Sequence, residues 1–304
     1  MGDEYPKYAW DIPYSDASDL NTLSTCIPRP PNTPSAPGKH LWIIYLHGGA
    51  WRDATISSSA FHQTLNLLLA NPAKSARIAG LATINYRLSP YPSHATNPSN
   101  PSDPARNAKH PDHITDVLNA LLHLQETHGF GQNYLLVGHS CGATLALQVA
   151  MRRFWGTQYD VSSLALEMNV VPPLAVLAVE GIYHLPALLE THADQPVYRD
   201  LVENAFGQGD LSAVSPALWD WEGSGSFDEG LAVVVAHSRE DELVDWEQAE
   251  LMVDSLKGWA KDGKREVRFF EVQGTHDSVW REGTELVKAV DLALEVTFSR
   301  IANL

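Results

Sequence analysis

The amino-acid sequence predicts an α/β fold with a mostly parallel central sheet and helices on both of its faces. Continuous apolar runs of strand length alternate along the chain with amphipathic segments of helix length. Strands that are apolar throughout are typical of parallel sheets, because the crossover helices cover both faces. The chain has 304 residues, 44% of them hydrophobic, which is enough for one large core. We therefore expect a single domain over residues 1–304.

The first half of the chain begins with an extension and continues with alternating strands and helices. Residues 1–40 are rich in proline and polar residues, and we expect one short edge strand there, near 20–27. The segment 91–111 carries many Pro, Asn and Ser residues without periodicity, which is typical of a functional or mobile loop. The remaining apolar and periodic segments predict buried strands at 41–46, 81–86 and 134–137, and helices at 57–70 and 112–128.

The second half repeats this alternation and adds a segment that we interpret as a cap. Residues 183–221 contain two short helical patterns, at 185–191 and 196–205, interrupted by Gly, Pro and Ser. We expect this segment to form a cap-like insertion over the functional site. Buried strands are predicted at 174–179, 231–236 and 267–272, and the last helix carries an apolar stripe of Val287, Val290, Leu294, Phe298 and Ile301.

Charge and cysteine content exclude several classes of partner. The net charge is −16, from 21 basic and 37 acidic side chains, and the basic residues form no cluster along the sequence. We therefore expect neither nucleic acid nor an anionic membrane surface as a partner. The chain has two cysteines, Cys26 and Cys141, so a disulfide framework is not expected and a reducing compartment fits best.

The N-terminal sequence and the length of the apolar runs predict a cytoplasmic protein. The first residues, MGDEYPKYAWDIPY, are acidic and lack the apolar core of a signal peptide. No apolar run in the sequence approaches the ~18 residues that a membrane-spanning helix needs. The sequence leaves the oligomeric state open, with a homodimer as one candidate.

The segment 133–149, NYLLVGHSCGATLALQV, predicts a strand, a sharp turn and a helix. At the turn, Gly138-His139-Ser140-Cys141-Gly142 matches the G-x-S-x-G pattern of the nucleophile elbow of α/β-hydrolases. A side chain at either glycine would collide with the neighbouring strand and helix, so the turn holds the Ser140 hydroxyl clear of the sheet. Cys141 is the first residue of the predicted helix, and its backbone N–H can point at an oxyanion. Because short matches occur by chance, a serine nucleophile also requires an acid and a histidine later in the chain.

An acid and a histidine follow in the order that α/β-hydrolases require. A late apolar strand leads into a loop that carries Asp241, and the carboxyl ends of parallel strands share one rim of the sheet with Ser140. We choose Asp241 as the triad acid and keep Glu240 and Asp245 as alternatives. His276 lies directly after the next strand, at the connection to a helix. Ser140, Asp241 and His276 form the predicted catalytic triad.

The oxyanion donors are expected from the loop His47-Gly48-Gly49-Ala50-Trp51, which follows an early buried strand. Glycines let the backbone approach a substrate carbonyl oxygen, so the N–H groups of this loop can converge with that of Cys141. Either Gly48 with Gly49 or Gly49 with Ala50 supplies the donors. Such a site performs acyl transfer through Ser140 and requires no metal or other cofactor.

With these residues placed, the chain resembles the kynurenine formamidases (arylformamidases) of the fungal α/β-hydrolase type. The resemblance runs from about residue 40 to the C-terminus. It implies hydrolysis of N-formyl-L-kynurenine to L-kynurenine and formate, in the cytosolic route from tryptophan to NAD, with Ser140, Asp241 and His276 as the triad. Five segments carry it: HGGAW at 47–51, NYRLSP at 85–90, GHSCG at 138–142, EGIYHLPALLE at 180–190 and GTHDSVW at 274–280.

This substrate suggests where its two ends would bind. The small formyl group favours a tight acyl pocket, for which Trp51 is a candidate, whereas the aromatic leaving group needs a larger cavity. The predicted partner is a small molecule, and the aromatic side chains that are candidates to stack on its ring are Tyr183, Trp219, Trp221 and Trp280.

Three other functions stay open at this point. A carboxylesterase for short acyl esters would use the same triad, and a hydrolase fold retained as a binding module would not need it. The unrelated metal-dependent formamidases contain G-T-H, which Gly274-Thr275-His276 matches, but their flanking His and Asp-x-Pro spacing are absent. His110-Pro111-Asp112-His113 also lacks a convincing ligand partner, so metal independence is expected.

Overall fold

One sheet organises the structure, and it places all of its parallel strands with their carboxyl ends on one rim. The computed structural model describes residues 4–30, 40–150, 170–222, 230, 232–261 and 263–303. Within these ranges the strands are β1 (Lys7–Pro13), β2 (Thr22–Ile27), β3 (Leu41–Leu46), β4 (Ile78–Ile84), β5 (Tyr134–His139), β6 (Ala175–Val179), β7 (Ala232–Ser238) and β8 (Glu266–Val272). They form an eight-stranded sheet in the order β1-β2-β4-β3-β5-β6-β7-β8.

The direction of the strands matches the predicted, mostly parallel sheet. Every strand from β3 to β8 runs parallel to its neighbours among them. The exception is the first edge, where β2 runs antiparallel to both β1 and β4. Because β5 lies in the middle of the sheet, the turn that follows it opens at the centre of the rim, between the ends of β3 and β6.

Helices connect the parallel strands. The described helices are α1 (His62–Ala70), α2 (Pro72–Ser75), α3 (Asp112–His128), α4 (Cys141–Ala150), α5 (Leu185–Thr191), α6 (Pro196–Phe206), α7 (Trp246–Leu256), α8 (His276–Glu282) and α9 (Thr284–Ala302). Short 3₁₀ turns occur at Ser58–Phe61, Pro104–Arg106, Leu211–Val214 and Pro216–Leu218. None of the helices in the described ranges has the length and apolar character needed to cross a membrane.

Alternation along each central strand divides its side chains between two apolar layers. In β3, Trp42, Ile44 and Leu46 join the layer under helices α3 to α7. The intervening Leu41, Ile43 and Tyr45 join the layer under α1, α8 and α9. Each fully buried aliphatic side chain of this kind stabilises the fold by roughly 1.5–3 kcal/mol relative to exposure. The sheet is therefore buried on both faces, as the continuous apolar runs predict.

The N-terminal segment differs from the sequence-based expectation of one edge strand. The structure contains a hairpin, in which β1 pairs with β2 and forms the outer edge. β1 is mostly exposed, and its register shifts between Ala9 and Ile12, beside a positive φ at Asp11. Tyr8, Trp10 and Ile12 alternate along β1, but Tyr8 and Trp10 are 43% and 52% exposed, so β1 is not a buried apolar run. A search for buried runs therefore misses this strand.

Other boundaries agree with the sequence to within a few residues. The predicted helix at 57–70 is a 3₁₀ turn at Ser58–Phe61 followed by α1, and the predicted strand at 81–86 begins earlier, as β4. The two helices expected within 183–221 are α5 and α6, and the interpretation of this segment as a cap stays a prediction. The loop 91–111 contributes Tyr91 to a pocket at the rim of the sheet.

Candidate active site

Ser140 lies at the turn between β5 and α4, in a backbone conformation that L-residues rarely adopt. Its φ is +56°, and its N–H donates to the carbonyl of Val179 at 2.9 Å. A Cβ added at Gly138 would lie 2.1 Å from the Gly142 carbonyl oxygen, and one added at Gly142 would lie 2.3 Å from that of Leu46. Both glycines therefore have to lack a side chain, which confirms the steric reason for the G-x-S-x-G pattern.

His276 and Asp241 meet at the same rim, from two different strand ends. His276 is the first residue of α8, and its Nδ1 lies 2.8 Å from Asp241 Oδ2. The other carboxylate oxygen of Asp241 accepts the N–H groups of Leu243 and Val244, at 2.9 and 2.8 Å. These bonds fix the carboxylate, whose side chain is fully buried. Because Asp241 uses Nδ1, the Nε2 atom of His276 is the ring nitrogen left for proton transfer.

The structure also separates Asp241 from the two alternative acids. Asp245 pairs with a different histidine, His192, at 2.7 Å, and Glu240 is exposed. Neighbouring Glu242 accepts the backbone N–H of His276 at 3.1 Å, at the start of α8. A carboxylate that accepts N–H groups at a helix N-terminus stabilises that helix. Glu242 thus anchors the backbone of His276, while Asp241 orients its ring.

Ser140 and His276 line the same pocket, a cavity of about 400 Å³. Both side chains are almost buried, each about 5% exposed. No hydrogen bond joins the Ser140 hydroxyl to the His276 ring within the described residues. Catalytic hydrogen bonds often tighten only when substrate is bound. The structure joins the His276 imidazole to the Asp241 carboxylate and places Ser140 in the lining of the same pocket as the imidazole. The function of these three residues as a catalytic triad stays a prediction.

The loop after β3 adopts a conformation that presents two of its residues to this pocket. Gly49 and Ala50 line the pocket, and Gly48 is not among the lining residues that the structure describes. The backbone is left-handed at Gly49, Ala50 and Trp51, with φ of +95°, +50° and +59°. The N–H of Trp51 is already used, because it donates to Cys141 Sγ at 3.2 Å. The pocket lining matches Gly49 with Ala50, the second of the two alternatives drawn from the sequence, but the N–H of Ala50 also interacts with Cys141 Sγ. The choice of donors therefore stays a prediction.

The side chain of Cys141 has a structural function, separate from the predicted function of its backbone N–H as an oxyanion donor. Its side chain is fully buried, and burial raises the pKa of the thiol to about 11. The thiol therefore stays protonated at neutral pH and is not a competing nucleophile. Its sulfur accepts from Trp51 and lies 3.6 Å from the hydroxyl of Tyr86. Tyr86 in turn donates to the carbonyl of His47 at 2.8 Å, which ties the loop after β3 to the nucleophile turn.

His139 and Glu180 form a buried pair that contacts His276 and that the sequence did not indicate. His139 Nε2 lies 3.1 Å from both the carbonyl oxygen of His276 and Oε2 of Glu180, and the two imidazole rings are 4.6 Å apart. Burial lowers the pKa of His139 well below its usual value and raises the pKa of Glu180 to about 10, with a further contribution from Asp241. Both side chains are therefore neutral at pH 7, and His139 donates from Nε2–H.

The same cluster is a candidate group of metal ligands. His139, Glu180 and His276 each offer one ligand atom, and these atoms lie within 4.8 Å of one another. The His139 and Glu180 atoms already bond to each other, and His276 Nδ1 is held by Asp241. A metal ion would compete with these bonds. The proton-transfer chemistry described here requires none, so metal independence stays a prediction.

Two predicted substrate contacts are corrected by the structure. The Trp51 side chain is fully buried, packed edge-on against Phe206 with ring centroids 4.9 Å apart. Tyr183 is also fully buried, and its hydroxyl accepts the N–H of Gly181 at 3.2 Å. Neither ring lines the pocket within the described residues, because each points into the core from its own loop. Of the other aromatic candidates, Trp280 lines the pocket, whereas Trp221 is buried and donates to a backbone carbonyl.

The remaining wall of the pocket comes from α6, which lies within the segment 183–221, and from the loop that carries Asp241. Helix α6 contributes Val197, Tyr198 and Leu201, and the loop before α7 contributes residues 242–244. The charged side chains are Arg52, Asp53, Glu242 and Asp277. Apolar walls with a few charged groups are typical of sites for small ligands.

Comparison with solved structures identifies the fold. A carbohydrate esterase from gut microbiota aligns with a TM-score of 0.63 and 18% identity, over 96% of this chain and 97% of that chain. Esterase B from Lactobacillus rhamnosis aligns with a TM-score of 0.63 and 16% identity, over 98% and 86%. At these identities the similarity shows the fold alone. The fold and the nucleophile turn define the chain as an α/β-hydrolase.

Comparison with the sequences of known proteins identifies the family. No protein-family model matches the chain. The kynurenine formamidase-like hydrolase fscH of Fusarium equiseti is 34% identical, over 93% of this chain and 93% of that protein. The kynurenine formamidase avaC of Aspergillus versicolor is 34% identical, over 93% and 98%, and that of Saccharomyces cerevisiae is 27% identical, over 79% and 84%. The chain belongs to the kynurenine formamidase family, and it is a hydrolase.

Proposed function

We propose that this chain hydrolyses the formamide bond of N-formyl-L-kynurenine, with Ser140 as nucleophile, His276 as general base and Asp241 as the acid that orients it. The observation that carries the proposal is that His276, hydrogen-bonded to the buried Asp241, lines the same pocket as Ser140. Relatives named kynurenine formamidase suggest the substrate. The products are L-kynurenine and formate, which connects the reaction to tryptophan catabolism.

The first half-reaction forms a formyl-serine. His276 Nε2 accepts the Ser140 proton while Oγ attacks the formyl carbon, and the negative charge develops on the former carbonyl oxygen. The N–H groups of Gly49, Ala50 and Cys141 are the proposed donors to that oxyanion. His276 then passes the proton to the aryl nitrogen as the C–N bond breaks, and kynurenine leaves as the free arylamine. Losing one oxyanion donor typically costs about 10²–10³ in rate.

The second half-reaction regenerates the enzyme. Water gives a proton to His276 and attacks the formyl-serine carbon, through a second oxyanion in the same site. Collapse of this intermediate releases formate, and the proton on His276 returns to Ser140. Throughout both steps the Asp241 carboxylate orients and stabilises the imidazolium.

Steady-state kinetics on N-formyl-L-kynurenine and on p-nitrophenyl acetate tests the proposal. We expect the wild type to prefer the formamide, and Ser140→Ala to lose at least about 10⁴-fold in kcat on both substrates. The second candidate is a carboxylesterase with the same triad, favoured by the esterase folds among solved structures. A wild type that hydrolyses the ester quickly and the formamide negligibly would establish the carboxylesterase instead.

We further infer a cytoplasmic location and a small-molecule partner. Both cysteines, Cys26 and Cys141, are free and buried, which suits a reducing compartment. Fractionation of cells that express the chain tests the location, and recovery with organelles would contradict it. A homodimer stays a prediction, and light scattering on the purified chain measures the assembly directly.

A further inference from the structure

We propose that Arg52 binds the carboxylate of the leaving group and so makes the site selective for formanilides that carry an amino-acid side chain. This inference rests on the proposed function and concerns the end of the substrate far from the formyl group. It is carried by the burial of Arg52, by its position in the pocket and by the charges around it.

Arg52 is a buried cation in an otherwise acidic pocket. It is the one Lys or Arg among the described residues that line the cavity, beside the carboxylates of Asp53, Glu242 and Asp277. Its side chain is only 3% exposed. A buried charge is costly unless it is paired and hydrogen-bonded. A cation kept at this depth in a chain of net charge −16 is therefore placed where an anion is to be bound.

The contacts of Arg52 leave most of its hydrogen-bonding capacity available. Within the described residues its guanidinium makes one hydrogen bond, from Nη1 to Asp200 on α6. The Asp200 side chain is 52% exposed, so its carboxylate lies largely in solvent at the rim. The guanidinium has five N–H donors. Because one is used, the remaining donors can bind a second carboxylate.

The orientation of the guanidinium is fixed by an aromatic ring. Its central carbon lies 4.0 Å from the ring centroid of Tyr91, which also lines the pocket. Such stacking holds the planar fork and adds a cation–π attraction. A fixed fork binds a planar carboxylate with two parallel hydrogen bonds, which a lysine does not reproduce.

The position of Arg52 along the chain connects it to the reacting end of the site. The backbone N–H of Arg52 donates to the carbonyl of Gly49 at 2.9 Å. This turn places Arg52 directly beside the predicted oxyanion donors of the loop after β3. In N-formyl-L-kynurenine the formamide and the side chain that ends in the carboxylate are attached to neighbouring carbons of the aromatic ring. With the formyl group at Gly49 and Ala50, the proposed position of the carboxylate is the part of the pocket that Arg52, Tyr91 and α6 line.

A purely structural function for Arg52 makes a different prediction. The bond to Asp200 tethers the loop after β3 to α6, and its loss could disturb the site for every substrate. Removal of Asp200 breaks this tether and keeps the cation. Removal of Arg52 breaks the tether and removes the cation. The two variants therefore separate a tether from a carboxylate site.

The experiment compares kcat/KM for N-formyl-L-kynurenine and for N-formylkynurenamine, which is the same formanilide without the carboxylate. For Arg52→Met we expect a loss of about 10- to 100-fold on the first substrate, mainly in KM, and little change on the second. Arg52→Lys should lie between the wild type and Arg52→Met. Asp200→Asn should keep or increase the preference for the carboxylate substrate, because it removes a competing anion.

Arg77→Met is the matched control. Arg77 also stacks on an aromatic ring, that of Phe298, and pairs with an aspartate, Asp291, but it lies outside the pocket lining. It should leave both kcat/KM values unchanged, and thermal unfolding of each variant verifies folding. If Arg52→Met fails to fold, Arg52→Lys and Asp200→Asn still decide the question.

The outcomes distinguish the inference from the proposed function. Equal losses on both substrates, or equal effects of the Arg52 and Asp200 variants, would overturn the carboxylate site while leaving the formamidase proposal intact. A wild type that hydrolyses neither formanilide would overturn the proposed function, and the inference with it.

Discussion

Replacing Glu180 by glutamine tests the electrostatics of the site most directly. Glu180 is fully buried directly after β6, with a φ of +49°, and its Oε2 accepts one hydrogen bond from His139 Nε2. Burial first, and then the negative charges of Asp241, Glu242 and Asp277, raise the pKa of this carboxyl from 4.5 to about 10. Glutamine has the same shape and no titratable proton. Glu180→Gln therefore removes the ionisation and keeps the packing.

The magnitude follows from linkage between protonation and folding. Because the folded pKa is raised, the folded state retains a proton that the unfolded state releases above pH 4.5. The stability associated with this group is thus complete below pH 4.5 and is lost as pH rises towards 10. One proton corresponds to about 1.4 kcal/mol per pH unit. The free energy of unfolding of Glu180→Gln minus that of the wild type should therefore increase by up to about 2.7 kcal/mol from pH 6 to pH 8.

Urea unfolding of both proteins at pH 6, 7 and 8 measures this difference. Subtraction at each pH removes the contribution of groups that the two proteins share, including His139, whose pKa burial lowers. The free energy of unfolding of Glu180→Gln minus that of the wild type should increase with pH. A difference that stays constant, or that decreases, would mean that Glu180 is ionised in the folded protein and would refute the description of a neutral His139–Glu180 pair.

Three further predictions follow from the geometry of the site. Asp241→Asn should lower kcat about 10⁴-fold by favouring the wrong tautomer of His276, whereas Asp245→Asn, whose carboxylate pairs with His192, should retain activity in the same assay; equal losses would reopen the choice of acid. Gly138→Ala should destabilise the protein by about 3 kcal/mol in urea unfolding, because its methyl group would meet the Gly142 backbone at 2.1 Å. Gly209→Ala, where an added methyl group meets open space, should change the free energy of unfolding by less than about 0.5 kcal/mol. Similar effects of the two substitutions would contradict the steric account of the turn. Activity should be unchanged after dialysis against EDTA, and a loss that Zn²⁺ restores would instead assign a metal to His139, Glu180 and His276.

The chemistry of the rim could be predicted largely from the sequence. Ser140 lies in a turn whose two glycines are required by local sterics, and such requirements are visible in five consecutive residues. Asp241 and His276 each follow an apolar strand, and parallel strands must end on the same rim. The buried layers were also predictable, because strand and helix periodicities determine which side chains face the sheet.

Sequence patterns were weaker wherever two distant segments had to be placed against each other. Trp51 and Tyr183 are aromatic residues near functional motifs, and the motifs do not specify that both rings point into the core. Arg52 follows HGGAW directly, but its proposed function as a carboxylate-binding residue depends on contacts with Tyr91 and with Asp200 of α6. These residues approach Arg52 only in the folded chain. The edge strand β1 alternates Tyr8, Trp10 and Ile12, but it is mostly exposed and forms no buried apolar run that would have identified it.

Short patterns in the sequence were sufficient to predict the class of fold, the turn at Ser140 and the order of the three proposed triad residues, because each depends on local sterics or on the period of one element. The folded chain was needed to show which acid meets His276, which loop residues reach the pocket and where the buried Arg52 lies. These depend on distances between segments far apart in the chain, and the free energy of burying a charge or a ring is set by neighbours that no local pattern encodes.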